Sequence, residues 1–147
     1  MKLYVYSLND FRTVADTIRK EADADRAIVI SIGDPGVSDM HPVPTSDNVL
    51  NINFADDDSM TFGQAMVMAN FIDCHLQSKD YDIYIHCNAG KSRSQGVCRF
   101  ILDVYGSKTY RKYFSTRMDN PCITPNIHVS SLLKRAFRQM LETREKF

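Results

Sequence analysis

The chain has 147 residues, 44% of them apolar and 24% charged, with 18 basic and 18 acidic side chains that cancel to a formal net charge of zero. That length favours one domain with a core of its own, the composition excludes a disordered or fibrous chain, and the balance of charge argues against general coating of nucleic acid. The halves differ all the same: residues 1–90 sum to −8 and residues 91–147 to +8, which suits either mutual attraction in the fold or an anionic partner for the basic half.

Residues 2 to 6 read as a short strand, and the polar Asn9-Asp10 follows at once. No apolar core of an export signal fits there, and no run of apolar residues nears the roughly 18 that span a bilayer, so a cytoplasmic protein without a membrane span is expected. Asn9 or Asp10 can cap a helix with Phe11, Val14, Ala15, Ile18 and Ala22 on one face. Residues 26 to 32 are rich in β-branched side chains and read as a buried strand, stopped by Gly33-Asp34-Pro35-Gly36 and followed by a long polar loop. Val49 to Phe54 alternates as a third strand and ends at Asp56-Asp57-Asp58. Thr61 opens a helix with the stripe Phe62, Ala65, Met66, Ala69, Ile72 and Leu76, ending near Ser78. A strand over Asp82 to Cys87, a glycine-containing loop and a helix from about Ser92 to Tyr105 come next, with Gly106 as the stop. Helical stretches at about 108 to 117 and 127 to 145 finish the chain, with Pro121 and Pro125 between them.

Neither a repeat nor a linker divides the chain, so residues 1–147 are expected to form a single domain. Strands alternating with helices predict the α/β class, with a largely parallel central sheet of four to five strands flanked by helices. Ligands of such sheets sit beyond the carboxyl ends of the strands, which directs attention to the segment leaving Cys87.

That segment reads His86-Cys87-Asn88-Ala89-Gly90-Lys91-Ser92-Arg93-Ser94. A loop curling into a helix N-terminus aims several backbone N–H groups at one spot, a cradle for an oxyanion such as phosphate. Asn88, Ala89, Gly90, Lys91 and Ser92 would form it, Gly90 allowing the tight curl, and Arg93 would add a permanently charged fork for two phosphate oxygens. A free thiol is only a few per cent thiolate at pH 7, but helix N-termini and cations raise that fraction, so Cys87 is placed to attack phosphorus.

His86-Cys87, five residues, then Arg93-Ser94 resembles the signature of the cysteine-dependent protein tyrosine phosphatases, and the small dual-specificity members and the compact bacterial and phage tyrosine phosphatase-like proteins in particular. Leu3 to Ser7, Ile28 to Pro35, Asn53 to Asp57 and Pro125-Asn126 extend the likeness along the chain. The resemblance implies a phosphatase-like catalytic domain that removes phosphate from phosphotyrosine of a protein or peptide, with phosphoserine and phosphothreonine as further substrates, through a cysteinyl-phosphate intermediate. It implies Cys87 as nucleophile, Arg93 as phosphate binder, and Ser94 as the hydroxyl that assists breakdown of the intermediate. An aspartate about thirty residues before the cysteine protonates the leaving oxygen in that family. Asp56, Asp57 and Asp58 stand 31, 30 and 29 residues upstream, and Ile52-Asn53-Phe54-Ala55-Asp56 matches the register best, with Asp57 next. His86 and Asn126 would support the loops from behind.

Lys91 also makes the loop similar to that of phosphoinositide phosphatases, so a phosphoinositide or another small phosphoester is the alternative substrate, and a catalytically silent phosphate-binding module the alternative function. Sulfur transfer fits Arg93-Ser94 poorly. Cys74-His75 and His86-Cys87 match no common zinc spacing, so neither a metal nor another cofactor is expected. Four cysteines without an export signal predict free thiols, Cys98 in the core, and Cys74 or Cys122 as candidate partners for an oxidised Cys87.

Overall fold

The computed structural model describes residues 2–106, 115–116 and 125–145. Its elements run β1 (Lys2–Tyr6), α1 (Leu8–Asp23), β2 (Ala27–Gly33), β3 (Val49–Asn53), α2 (Phe62–Ser78), β4 (Asp82–His86), α3 (Arg93–Tyr105), β5 (Ser115–Thr116) and α4 (Ile127–Glu145). The five strands form one sheet in the order β3-β2-β4-β1-β5, and every pairing is parallel. The predicted α/β class and parallel sheet are what the chain adopts.

Strand alternation sorts the side chains onto two unequal faces. Leu3, Val5, Ile28, Ile30, Ile32, Ile52, Ile83 and Ile85 join the main core with α2, α3 and α4. Val29 and Val49 on the opposite face pack with Phe11, Ile18 and Ala22 of α1. Every residue of β2 is buried, because it has a strand on each side and helices above and below. β4 lies between β2 and β1, so the chain leaving it emerges at the middle of the sheet's carboxyl edge.

The helix boundaries show where local signals were sufficient. Ser7, not Asn9 or Asp10, caps α1: its side chain accepts the Asp10 N–H at 3.1 Å, and Asp10 falls in the first turn, where its charge favours the dipole. Thr61 opens α2 as predicted, in a capping box with Gln64. Its stripe is rotated from the expected one, with Phe62 exposed and Met68 and Asp73 buried, since α2 packs on α4 as well as on the sheet. The helix expected over about 108 to 117 is corrected at Ser115–Thr116, a strand beside β1. Two residues carry no periodicity, and the open edge of β1 that they pair with is a tertiary feature. The rest of that stretch, Pro121 and Cys122 lie outside the described residues. Among the described residues no helix is long and apolar enough to cross a membrane.

Candidate active site

β4 delivers Cys87 to the carboxyl edge of the sheet, and residues 88–92 curl from there into the first turn of α3. Gly90 has φ +70°, a backbone state that side chains disfavour, and its N–H donates to Cys87 Sγ at 3.3 Å. Ser94 Oγ lies 3.1 Å from the same sulfur. The thiol is 2% exposed. Two neighbours tie the loop from outside and inside: Leu8 at the start of α1 donates its N–H to the Asn88 carbonyl at 2.9 Å, and the buried Gln95 donates Nε2 to the Gly90 carbonyl at 3.3 Å. Asn88, Ala89 and Lys91 are exposed, Gly90 is buried and Ser92 is half-buried.

His86 lies behind the loop that follows Cys87, wholly buried against the Phe11 ring at 4.4 Å. Burial pushes its pKa down to about 4, helped by the positive field of Arg12 and Arg93, so at neutral pH the imidazole is uncharged. Its Nδ1 is 3.3 Å from the Cys87 carbonyl oxygen.

Arg93 is fixed by one nitrogen. Its Nη1 donates to Asp34 Oδ1 at 2.6 Å, to the Phe54 carbonyl at 2.7 Å and to the Gly33 carbonyl at 3.3 Å. Those acceptors stand at the carboxyl ends of β2 and β3, the neighbours of β4 on one side. Anchoring through Nη1 turns the Nε–Nη2 edge, the fork that matches two oxygens of a tetrahedral anion, away from the anchor.

The chain from β3 then crosses to the loop. Asp56 Oδ1 accepts the Ser92 hydroxyl at 2.7 Å and the Asn126 Nδ2–H at 3.1 Å. Asn126 also donates to the Asp57 carbonyl at 3.0 Å, while its Oδ1 accepts the Val129 N–H and so caps α4. Ser92 gives its hydroxyl to Asp56 and does not cap α3. Asp57 turns to its own loop: the Ser59 hydroxyl and N–H donate to its carboxylate and hold its pKa below the usual range.

Cys87, Gly90, Ser92, Arg93, Ser94, Asp56 and Asn126 therefore meet at one place, and Asp57 takes part through its backbone alone. Asp34 and Gln95 belong to the same cluster, although the sequence reading used the first only as a strand stop. The usable signal was position: Asp34 follows β2 at the sheet edge where Cys87 follows β4. Cys98 is core, as predicted, and burial pushes its thiol up to about 12. Cys74 is exposed three turns along α2, about 18 Å of helix from the end that starts at this edge, so the idea of it as disulfide partner of Cys87 is withdrawn. Among the described residues no group of three His, Cys, Asp or Glu side chains could hold a metal ion.

No family model matches the sequence, and no curated protein matches it. Among solved structures, the chain is similar to the human tyrosine phosphatase-like serine/threonine/tyrosine-interacting protein, with 23% identity, 86% of this chain and 85% of that one covered, and a TM-score of 0.54. Human DUSP28 is also similar, with 14% identity over 96% of this chain and 94% of that one and a TM-score of 0.49. What the first of these likenesses establishes is the fold alone: the chain shares the α/β fold of that human protein.

Proposed function

We propose that residues 1–147 act as one catalytic domain that hydrolyses phosphate monoesters, with phosphotyrosine of a protein or peptide as the principal substrate and phosphoserine and phosphothreonine as further ones, in the cytoplasm. The observation that carries this reading is the Ser92–Asp56 hydrogen bond, which brings a carboxyl 31 residues upstream against the loop of a buried thiol. Cys87 Sγ attacks phosphorus, the bond from phosphorus to the ester oxygen breaks, and Asp56 passes its proton to that oxygen. Water then attacks the phosphocysteine, Asp56 takes its proton, and the S–P bond breaks to return the thiolate, which Ser94 Oγ and the Gly90 N–H stabilise. Arg93 and the amides of residues 88–92 hold the equatorial oxygens in both steps. Neither step calls for a metal or an organic cofactor.

Asp56 rather than Asp57 is the proton carrier in this reading, because Ser59 keeps Asp57 ionised and turned aside. A phosphoinositide substrate would have to be read by Lys91, which is exposed on the loop. The "interacting protein" in the name of one structural neighbour suits the second reading, a phosphate-binding module without turnover.

An aryl phosphate assay separates the two. Wild type should turn over, and Cys87→Ser should lose at least about 1,000-fold in kcat while still binding inorganic phosphate. Turnover that survives Cys87→Ser overturns the cysteinyl-phosphate mechanism, and phosphopeptide affinity in a wild type without turnover establishes the binding module.

A further inference from the structure

Three carbonyls of the loop that follows Cys87 are held by donors from outside it. The Asn88 carbonyl accepts the Leu8 N–H at 2.9 Å, the Gly90 carbonyl accepts from Gln95 Nε2 at 3.3 Å, and the Ser92 carbonyl accepts the N–H groups of Gly96 at 2.8 Å and Asn126 at 3.0 Å. The three alternate along the chain. A trans peptide is planar and points its C=O and N–H in opposite directions, so each held carbonyl turns the N–H of the next residue, Ala89, Lys91 or Arg93, away from its holder.

Of those holders only Gln95 is a side chain. It stands in the first turn of α3, 4% exposed, and because a carbonyl oxygen can only accept, the Gly90 carbonyl fixes which end of the amide faces it. The peptide it holds has the fewest steric limits of its own. Gly90 lies at φ +70°, and without a Cβ it lets the peptide that follows it turn over at little cost. Backbone secures the Asn88 and Ser92 carbonyls, whereas a side chain secures the Gly90–Lys91 peptide. Turned over, that peptide would present a carbonyl oxygen where an anion needs a donor.

We infer that Gln95 is a positioning residue for anion binding: it holds the Gly90–Lys91 peptide with the Lys91 N–H toward the open side of the loop, and so keeps that amide in the donor set for a phosphate group. Gln95 is buried and Lys91 exposed, so the side away from the holder is the side an anion enters. The amide is neutral and therefore adds this hold without placing a charge beside the Cys87 sulfur or the Arg93 guanidinium. This role rests on the loop being a phosphate cradle, the part of the proposed function that the enzyme and the binding module share.

Two measurements on Gln95→Met, which keeps the length of the side chain and removes its donor, provide the test. With no anion present, the residual dipolar coupling of the Lys91 N–H should fit one orientation, opposed to the Gly90 carbonyl, in wild type, and should be scaled down by averaging in the variant. With inorganic phosphate as the probe, calorimetry should show a Kd raised at least about tenfold, as for one lost hydrogen bond to an ionised group, and the wild-type shift of the Lys91 15N resonance on adding phosphate should disappear. Ile101→Val, at a wholly buried position further along α3, lowers stability without touching the loop and should leave both readouts as in wild type. Gln95→Leu replaces Gln95→Met should the latter fail to fold. A Lys91 coupling that stays fixed in the donor-free variant, or a phosphate Kd within about twofold of wild type, overturns the inference. A coupling already averaged in wild type overturns it without any variant. Wild type that binds no phosphate removes the cradle and sinks both the inference and the proposed function, whereas phosphate binding without turnover of any phosphoester sinks the catalytic reading alone.

Discussion

At the scale of single residues, burial and hydrogen bonding decide which of several similar groups can work. Three adjacent carboxyls share one loop, yet Asp56 meets Ser92 and Asn126 while Asp57 is claimed by Ser59. Asp56→Asn should therefore cost about 100-fold in kcat for poor leaving groups and flatten the basic limb of the pH profile. Asp57→Asn should stay within about threefold, as expected of a group remote from the proton transfer. Kinetics with a series of substituted phenyl phosphates compares the two. His86 supplies a second prediction. Its folded pKa, about 4, lies below the value of about 6.5 in an unfolded chain, so the unfolded state binds the extra proton between those values. The stability this contributes is complete above about pH 6.5 and is lost as pH falls through about 4, with about 2 kcal/mol gone by pH 5. Urea unfolding at pH 7 and pH 5 should show that loss in wild type and a smaller one in His86→Asn. Reading single residues from sequence could single out Cys87, Arg93 and Ser94 as candidates, because the loop is contiguous and its residue types are few. Asp34 and Gln95 escaped because they act by holding other groups, a role that no residue type announces.

At the scale of elements, the ends of helices and strands place the chemistry. Gln64 closes the α2 capping box by accepting the Thr61 N–H on Oε1, and it donates Nε2 to the Asn53 carbonyl at 2.8 Å. One side chain thus ties the end of β3 to the start of α2 and fixes the span of the loop that carries Asp56. Gln64→Ala should cost about 1 kcal/mol in chemical denaturation, in line with other lost caps, and should lower kcat while Cys87 alkylation is unaffected. The start of α2 at Thr61 was legible in sequence, whereas the part played by Gln64 was not read there. The rotation of the α2 stripe was not, because it is set by α4, more than fifty residues later.

At the scale of the whole molecule, the opposed halves of the chain meet, among the described residues, in two ion pairs with a buried member. Arg93 with Asp34 lies at the site, and Arg144 near the end of α4 reaches Asp73 of α2 at 2.6 Å. Asp73 is 1% exposed and also accepts the Tyr105 hydroxyl at 2.8 Å, so one carboxylate joins α2, α3 and α4 at the edge of the sheet away from the site. Arg144→Met, which leaves that carboxylate without its cation, should cost about 2–3 kcal/mol in urea unfolding. Lys134→Met, at the exposed pair with Asp103, should change stability by less than about 1 kcal/mol.

By itself the sequence determined the class of fold and the strand and helix that bracket the loop, and it singled out a sulfur, a guanidinium and a hydroxyl as candidates, since periodicity, turn residues and a short motif are local properties of the chain. Only the tertiary structure decided which aspartate faces the loop, what anchors Arg93, and that Leu8 and Asn126 stand where they hold carbonyls of the loop. Those choices join residues dozens of positions apart, and such contacts exist only once parallel strands have been laid side by side in register.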